Sequence, residues 1–167
     1  MTNLRIEPAP GFTPAIGTLV AMMAQAREGL LSAIRGLSVA QLDHLHDSRS
    51  NSIGALLAHA VAVERWHQIL TLEDRIPLEG DDPVWLAALD LGEPGQRLLR
   101  GRPLPSYLHD LATTRARTLK ALAERDDDWL ERPLSADPEK NAHWAWFHVM
   151  EDEITHCGQI RWLRARL

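Results

Sequence analysis

Apolar residues recur at helical spacing through four long stretches of this 167-residue chain, and no stretch shows sustained period-two alternation. The first runs from Thr13-Pro14 to about Arg35, with Ile16, Leu19, Val20, Met23, Leu30, Leu31 and Ile34 on the repeating face. A hydroxyl N-cap followed by proline opens it and Gly36 closes it. Residues 1–12 form an irregular lead-in, Ser38 to Leu42 predicts one short helical turn, and His44 to Ser50 is polar loop. The second long helix starts at Asn51 or Ser52 and runs to about Leu72, before Pro77. Its core face is Ile53, Leu56, Leu57, Ala60, Val63, Ile69 and Leu70, and Glu64 and Arg65 turn the other way. Asp81-Asp82-Pro83 predicts a short helix through Leu89, which Gly92-Glu93-Pro94-Gly95 breaks. Ser106 is expected to cap a third long helix reaching about Arg125, on Leu108, Leu111, Leu119 and Leu122, with Arg115, Arg117 and Lys120 on a solvated face. Residues 126–140, with Pro133 and Pro138, predict loop, and the fourth helix runs from about Asn141 to the C-terminus. This pattern predicts an all-α fold, a four-helix bundle. The connection between the second and third helices is far longer than antiparallel neighbours need, and is long enough to cross over the bundle's end.

Composition narrows the class. The length predicts one domain, residues 1–167. A net charge of −5 argues against a nucleic-acid partner. The longest nearly uncharged run, Ile6 to Arg27, is interrupted by Pro8, Pro10, Pro14, Gly11 and Gly17 and does not predict a membrane span. The first residues lack a basic region followed by an apolar core, so no signal peptide is expected. A lone cysteine, Cys157, forms no internal disulfide and fits a reducing cytoplasm.

The chemistry concentrates in the last helix, over Phe147 to Ile160. Positions four apart stack on one stripe of a helix, which aligns His148, Asp152 and His156. An imidazole and a carboxylate on adjacent turns are two metal ligands at a fixed spacing. A third ligand has to come from elsewhere, and His59, on an otherwise apolar surface of the second helix, is the candidate. From spacing alone His59 is either a ligand or a core histidine satisfied by a carbonyl or by Asp152. Three N/O ligands would leave an open coordination position, as catalytic sites do. His148 lies eight residues from His156, a rise of about 12 Å, so it is read first as a partner or proton carrier near the site, then as a surface or core histidine, and last as a ligand. Glu151 and Glu153 are read as solvating neighbouring faces, Cys157 as packing, Gly158 as a point of close helix approach, and Gln159 as a hydrogen-bonding residue. His44, His46, His67, His109 and His143 are assigned to loops or helix ends, His46 being the best placed of them. The six tryptophans predict core filling, with Trp66, Trp144 or Trp146 available to line a pocket mouth.

Leu56-Leu57-Ala58-His59, Glu64-Arg65-Trp66, the Leu-Ser-x-x-Gln-Leu element at 37–42 and the run from His148 through His156-Cys157-Gly158-Gln159 resemble the DinB/YfiT-like superfamily of metalloenzymes. The resemblance spans nearly the whole chain. It implies an up-down-down-up four-helix bundle with a long crossover between helices two and three. It also implies a divalent metal, often zinc or nickel, on His59, Asp152 and His156. Many relatives carry histidine at the position of Asp152, and the branch resembling mycothiol-dependent maleylpyruvate isomerase carries glutamate. Aspartate is one methylene shorter than glutamate, which favours a water-bridged contact, a weaker site or a harder metal such as Mn²⁺. The function implied is a metal-dependent transferase or isomerase that uses a low-molecular-weight thiol on a small-molecule substrate, with His148 moving a proton. A metal-dependent hydrolase would use the same ligands. The rival class is a non-enzymatic stress-linked binding or metal-sensing bundle with a degenerate site. Relatives often pair through helix faces, so the resemblance allows a homodimer, although one amphipathic pattern does not separate core from interface.

Overall fold

The computed structural model describes residues 5–76 and 82–167, and among them every regular element is a helix. Four are long: α1 (Pro14–Ile34), α3 (Ile53–Leu72), α6 (Leu104–Leu122) and α8 (Ala142–Arg164). Four are short: α2 (Val39–Leu42), α4 (Pro83–Asp90), α5 (Gly92–Leu98) and α7 (Asp127–Glu131). None is long and apolar enough to cross a membrane.

Local chemistry sets most of the boundaries. Ser38 and Gln41 close a reciprocal capping box on α2, and the Ser52 hydroxyl accepts from the Ala55 amide to start α3. Asn141 does the same for α8 through Trp144, at 2.8 Å. Gly36, at φ +76°, takes the left-handed conformation that ends α1. Thr13 sits at the N-cap of α1 but does not cap it, contrary to expectation. Its hydroxyl donates instead to Asp127 Oδ1 of α7, which also accepts from the Ala15 and Ile16 amides at 3.1 Å. A carboxylate from the far end of the chain thus meets the free amides and positive end of the α1 dipole.

Three boundaries depart from the sequence pattern. Gly92 to Gly95 does not end helical structure. Leu91 and Gly92, at φ 58° and 60°, turn the chain, and α5 begins at once. Pro94 falls in the first turn of α5, where its missing N–H has no intrahelical partner to lose. Helix α6 starts at Leu104 behind Pro103, two residues ahead of Ser106, and ends at Leu122. The expected loop 126–140 contains α7, whose N-cap Asp126 accepts from Trp129. The expected start of α4 at Asp81, and Pro77 ahead of it, lie outside the described residues. Asp82 supplies the cap of α4.

Helix α8 packs on α1 and α3, and α3 also packs on α6 and α4. One apolar cluster gathers Leu42, Leu56, Leu57, Tyr107 and Ile160, and a second gathers Ile16, Leu19, Met23, Leu122 and Trp146. On α1, α6 and α8 a buried charged residue stands at the changeover between clusters. These are Arg27, Arg115 and Glu153, which meet Glu64 of α3. Three expectations are corrected here: Glu64 does not face away from the core, Arg115 is not solvated, and Glu153 does not solvate a neighbouring face. Arg117 and Lys120 are exposed as expected.

Candidate metal centre

His59 lies near the middle of α3 and Asp152 and His156 near the middle of α8, where the two helices pack. The i, i+4 spacing puts Asp152 and His156 one above the other, and α3 brings His59 across to them. Asp152 Oδ1 stands 3.4 Å from His59 Nε2 and 3.2 Å from His156 Nε2. One ligand atom from each of the three side chains lies within 4.8 Å of the others. The imidazoles meet edge to face, with ring centroids 4.8 Å apart. Aspartate, though one methylene shorter than glutamate, brings its carboxylate to both rings. Donors about 2.1 Å from a tetrahedral ion stand about 3.4 Å apart, close to the two distances Asp152 makes.

The far nitrogens fix which way the rings point. His59 Nδ1 donates to the Ala88 carbonyl at 2.7 Å, and a carbonyl only accepts. In the neutral ring Nε2 is then the nitrogen left for a metal, whereas an Nε2–H donating to Asp152 makes the ring an imidazolium. His156 Nδ1 donates to Gln159 Oε1 at 3.0 Å, with the same result. Metal-binding imidazoles are commonly oriented through their second nitrogen in this way. His59 is therefore satisfied by a carbonyl and by Asp152 together, and still presents Nε2 inward.

Charge favours a cation at this point. Burial raises the Asp152 carboxyl, but hydrogen bonds from His156 and His59 outweigh it and hold the group well below the usual carboxylate range. Burial lowers the His156 imidazole, and Asp152 more than reverses that, leaving it raised. Asp152 Oδ2 is buried with no hydrogen-bond partner among the described residues. A buried carboxylate oxygen left unpaired is costly, and a divalent ion held by the same side chain would satisfy it. The residues fit a metal ion on donor chemistry, orientation and charge.

A cavity of about 420 Å³ opens beside the triad, and His59 and Asp152 form part of its wall. Val63, Trp66, Leu70, Leu86 and Leu89 give it an apolar side, and Trp144 and His148 stand at its α8 side. Trp66 and Trp144 thus line a pocket, whereas Trp146 is fully buried. The His148 ring stacks on Trp144 at 5.2 Å, and its Nδ1 approaches Glu151 Oε2 at 3.3 Å, while Glu151 itself is exposed. The structure puts His148 on the cavity but not against the triad.

His67 escaped the sequence reading. It is not at a helix end but inside α3, buried, and on the same cavity. The available signal was its register: residues 59, 63, 66, 67 and 70 share one helix face. Of the other histidines, His46 is exposed and stacks edge-on against Trp162, away from the triad, and His44 and His109 are exposed. Cys157 packs in the core as expected. Gly158 does not mark a close approach, because nothing lies within 4 Å of where its Cβ would stand. Gln159 bonds back to His156 instead of across a helix contact.

The sequence matches a protein-family model described as mycothiol-S-transferase over residues 18–167. No curated protein matches the chain. With nine-tenths of its length matched and the His-Asp-His convergence in place, the chain belongs to the mycothiol-S-transferase family, within the DinB/YfiT-like superfamily its motifs resemble.

Proposed function

We propose that this chain is a divalent-metal-dependent thiol S-transferase, a single domain built as an up-down-down-up bundle of α1, α3, α6 and α8 with the long crossover between α3 and α6. His59, Asp152 and His156 would hold the ion, zinc first and nickel or manganese as alternatives, and a low-molecular-weight thiol of the mycothiol type would be the cosubstrate. The carrying observation is the convergence of these three side chains beside a cavity, with Asp152 Oδ2 buried and unpaired. Two imidazoles and one carboxylate are a ligand set that leaves a position open.

When bound, the ion supplies a Lewis acid that holds a thiol as the nucleophilic thiolate near neutral pH. The protein's own groups do the rest. Ala88 and Gln159 hold the two rings so that both Nε2 atoms would face an ion beside Asp152. The Asp152 carboxylate balances positive charge in a site that largely excludes water. His148, tethered through Nδ1 to Glu151, leaves Nε2 free to exchange a proton at the cavity. Val63, Trp66 and Leu70 give the cavity an apolar wall on α3. A homodimer, a cytoplasmic location and a small-molecule second substrate complete this reading.

A non-enzymatic reading rests on the same contacts, because Asp152 satisfies both imidazoles without an ion, as a degenerate site would. The two readings separate in one assay. Tag-free protein reconstituted with zinc should transfer a low-molecular-weight thiol to a small electrophile, and His59→Ala should lose both the ion and the transfer. A metal-replete, active His59→Ala protein would sink the proposal.

A further inference from the structure

His67 has no part in the triad, yet it occupies the cavity beside it. The side chain is more than nine-tenths buried in a wall it shares with His59, Val63, Trp66 and Leu70 of the same helix. A polar ring in such a place is costly unless its polar atoms are used. One is used: Nδ1 donates to the Val63 carbonyl at 2.8 Å, which makes Nε2 the acceptor. In a regular helix that carbonyl already accepts from the His67 amide, so the imidazole is not there to satisfy it. Nε2 has no hydrogen-bond partner among the described residues, and it is not sealed off among the buried unpaired atoms either. The stacked pair Trp144 and His148 on α8 meets the ring, with centroids at 6.3 Å and 5.3 Å.

Two of the surrounding polar groups are otherwise engaged. Lys140, on the rim, pairs with Asp137 at 2.9 Å and lies over the Trp144 ring at 4.6 Å. His148 Nδ1 is turned to Glu151. Asp90 also lines the cavity, on the α4 side. Burial is the largest influence on His67 and keeps it neutral, down to about pH 4, so its lone pair is available at neutral pH.

We propose that the cavity takes an apolar, aromatic small molecule carrying a hydrogen-bond donor, and that His67 Nε2 is the specificity-determining acceptor that reads that donor. The indoles of Trp66 and Trp144 supply flat apolar surface for a ring. The volume, about 420 Å³, is in the range of small-ligand pockets. As a statement about the acceptor of a thiol, this rests on the transferase reading. As a statement about binding, it needs neither metal nor thiol.

The test uses the full chain, stripped of metal by chelator, and titration calorimetry at pH 7 with three soluble arenes: 4-hydroxyacetophenone, 4-methoxyacetophenone and acetophenone. The wild type should bind the hydroxy compound about 3- to 10-fold more tightly than the other two, the worth of one hydrogen bond in a buried site. His67→Phe should bind all three alike, and His67→Gln, which returns an acceptor oxygen, should recover part of the preference. No preference in the wild type, or one that survives in His67→Phe, overturns the role of His67. Heat from none of the three overturns the cavity assignment. Because no metal is present, either failure leaves the S-transferase reading standing, and loss of metal-dependent transfer would leave this one standing.

Discussion

Four charged side chains, Arg27, Glu64, Arg115 and Glu153, are buried where the long helices meet, and the sum of their charges is zero. Arg27 Nη2 reaches Glu64 at 2.9 Å and also Glu153, while Arg115 Nε reaches Glu64 at 2.8 Å and its Nη2 reaches Glu153 at 2.9 Å. Thr118 and the Leu111 and Met23 carbonyls take up further hydrogen-bonding capacity. Removing one member of a buried pair leaves an uncompensated charge. Arg115→Met should therefore cost about 3–5 kcal/mol in urea unfolding. Arg117→Met, which breaks only the exposed contact with Glu73, should cost about 1 kcal/mol or less. Equal costs for the two would contradict a structural role for the network. None of this was legible in the sequence. Helical periodicity assigns charged positions to water, and only the approach of three other helices shows that Glu64 has two arginines to meet.

His67 adds a pH dependence at the same scale. Its ordinary value is 6.5, and burial lowers it to about 4 in the folded chain. The unfolded state therefore takes up a proton that the folded state refuses, and stability falls as pH drops from 6.5 toward 4. Asp152, held low by His156 and His59, continues the loss at still lower pH. His156, which is raised, acts in the opposite sense, since its contribution is present in acid and fades as pH climbs through its raised value. In metal-free protein, His67→Gln should flatten the stability profile between pH 6.5 and 4 by about one proton's worth of slope. An unchanged slope would show that His67 titrates normally.

At the scale of elements, α3 is positioned by how closely α6 approaches it. A Cβ added at Gly54 would stand 2.7 Å from Tyr107 Oη and 3.3 Å from the Leu42 carbonyl. Tyr107 is fully buried, so the ring cannot swing clear into solvent. Gly54→Ala should destabilise by about 1–3 kcal/mol in thermal or denaturant unfolding. Gly158→Ala, with open space around its Cβ, should be neutral to stabilising, since alanine is the better helix former. The opposite ranking would contradict the packing described. The four long helices were legible because apolar spacing repeats through each, although the side-chain caps expected at Thr13 and Ser106 are not made. The short helices α5 and α7 were not: α5 depends on a left-handed turn at Leu91, and α7 is a five-residue helix with too few apolar positions to show a period, placed by the Asp127 contact with the start of α1.

At the scale of the whole molecule, α3 and α8 hold the three metal-ligand types together, and the connection carrying α4 supplies the Ala88 carbonyl that orients His59. The triad itself was readable from sequence, because an i, i+4 pair and one inward histidine fall on faces that must pack. The cavity was not, because its lining is shared between α3, α4 and α8 and depends on how they sit. The same arrangement lets binding and chemistry be separated: His67 lies two turns along α3 from His59, on the same cavity but outside the triad.

The most direct measurement is elemental analysis of tag-free protein, wild type beside Asp152→Ala, each after reconstitution with zinc, nickel or manganese and removal of excess ion. The account predicts close to one equivalent of metal in the wild type and little in the variant. No metal in the wild type with any of the three ions, or an undiminished equivalent in Asp152→Ala, would contradict it.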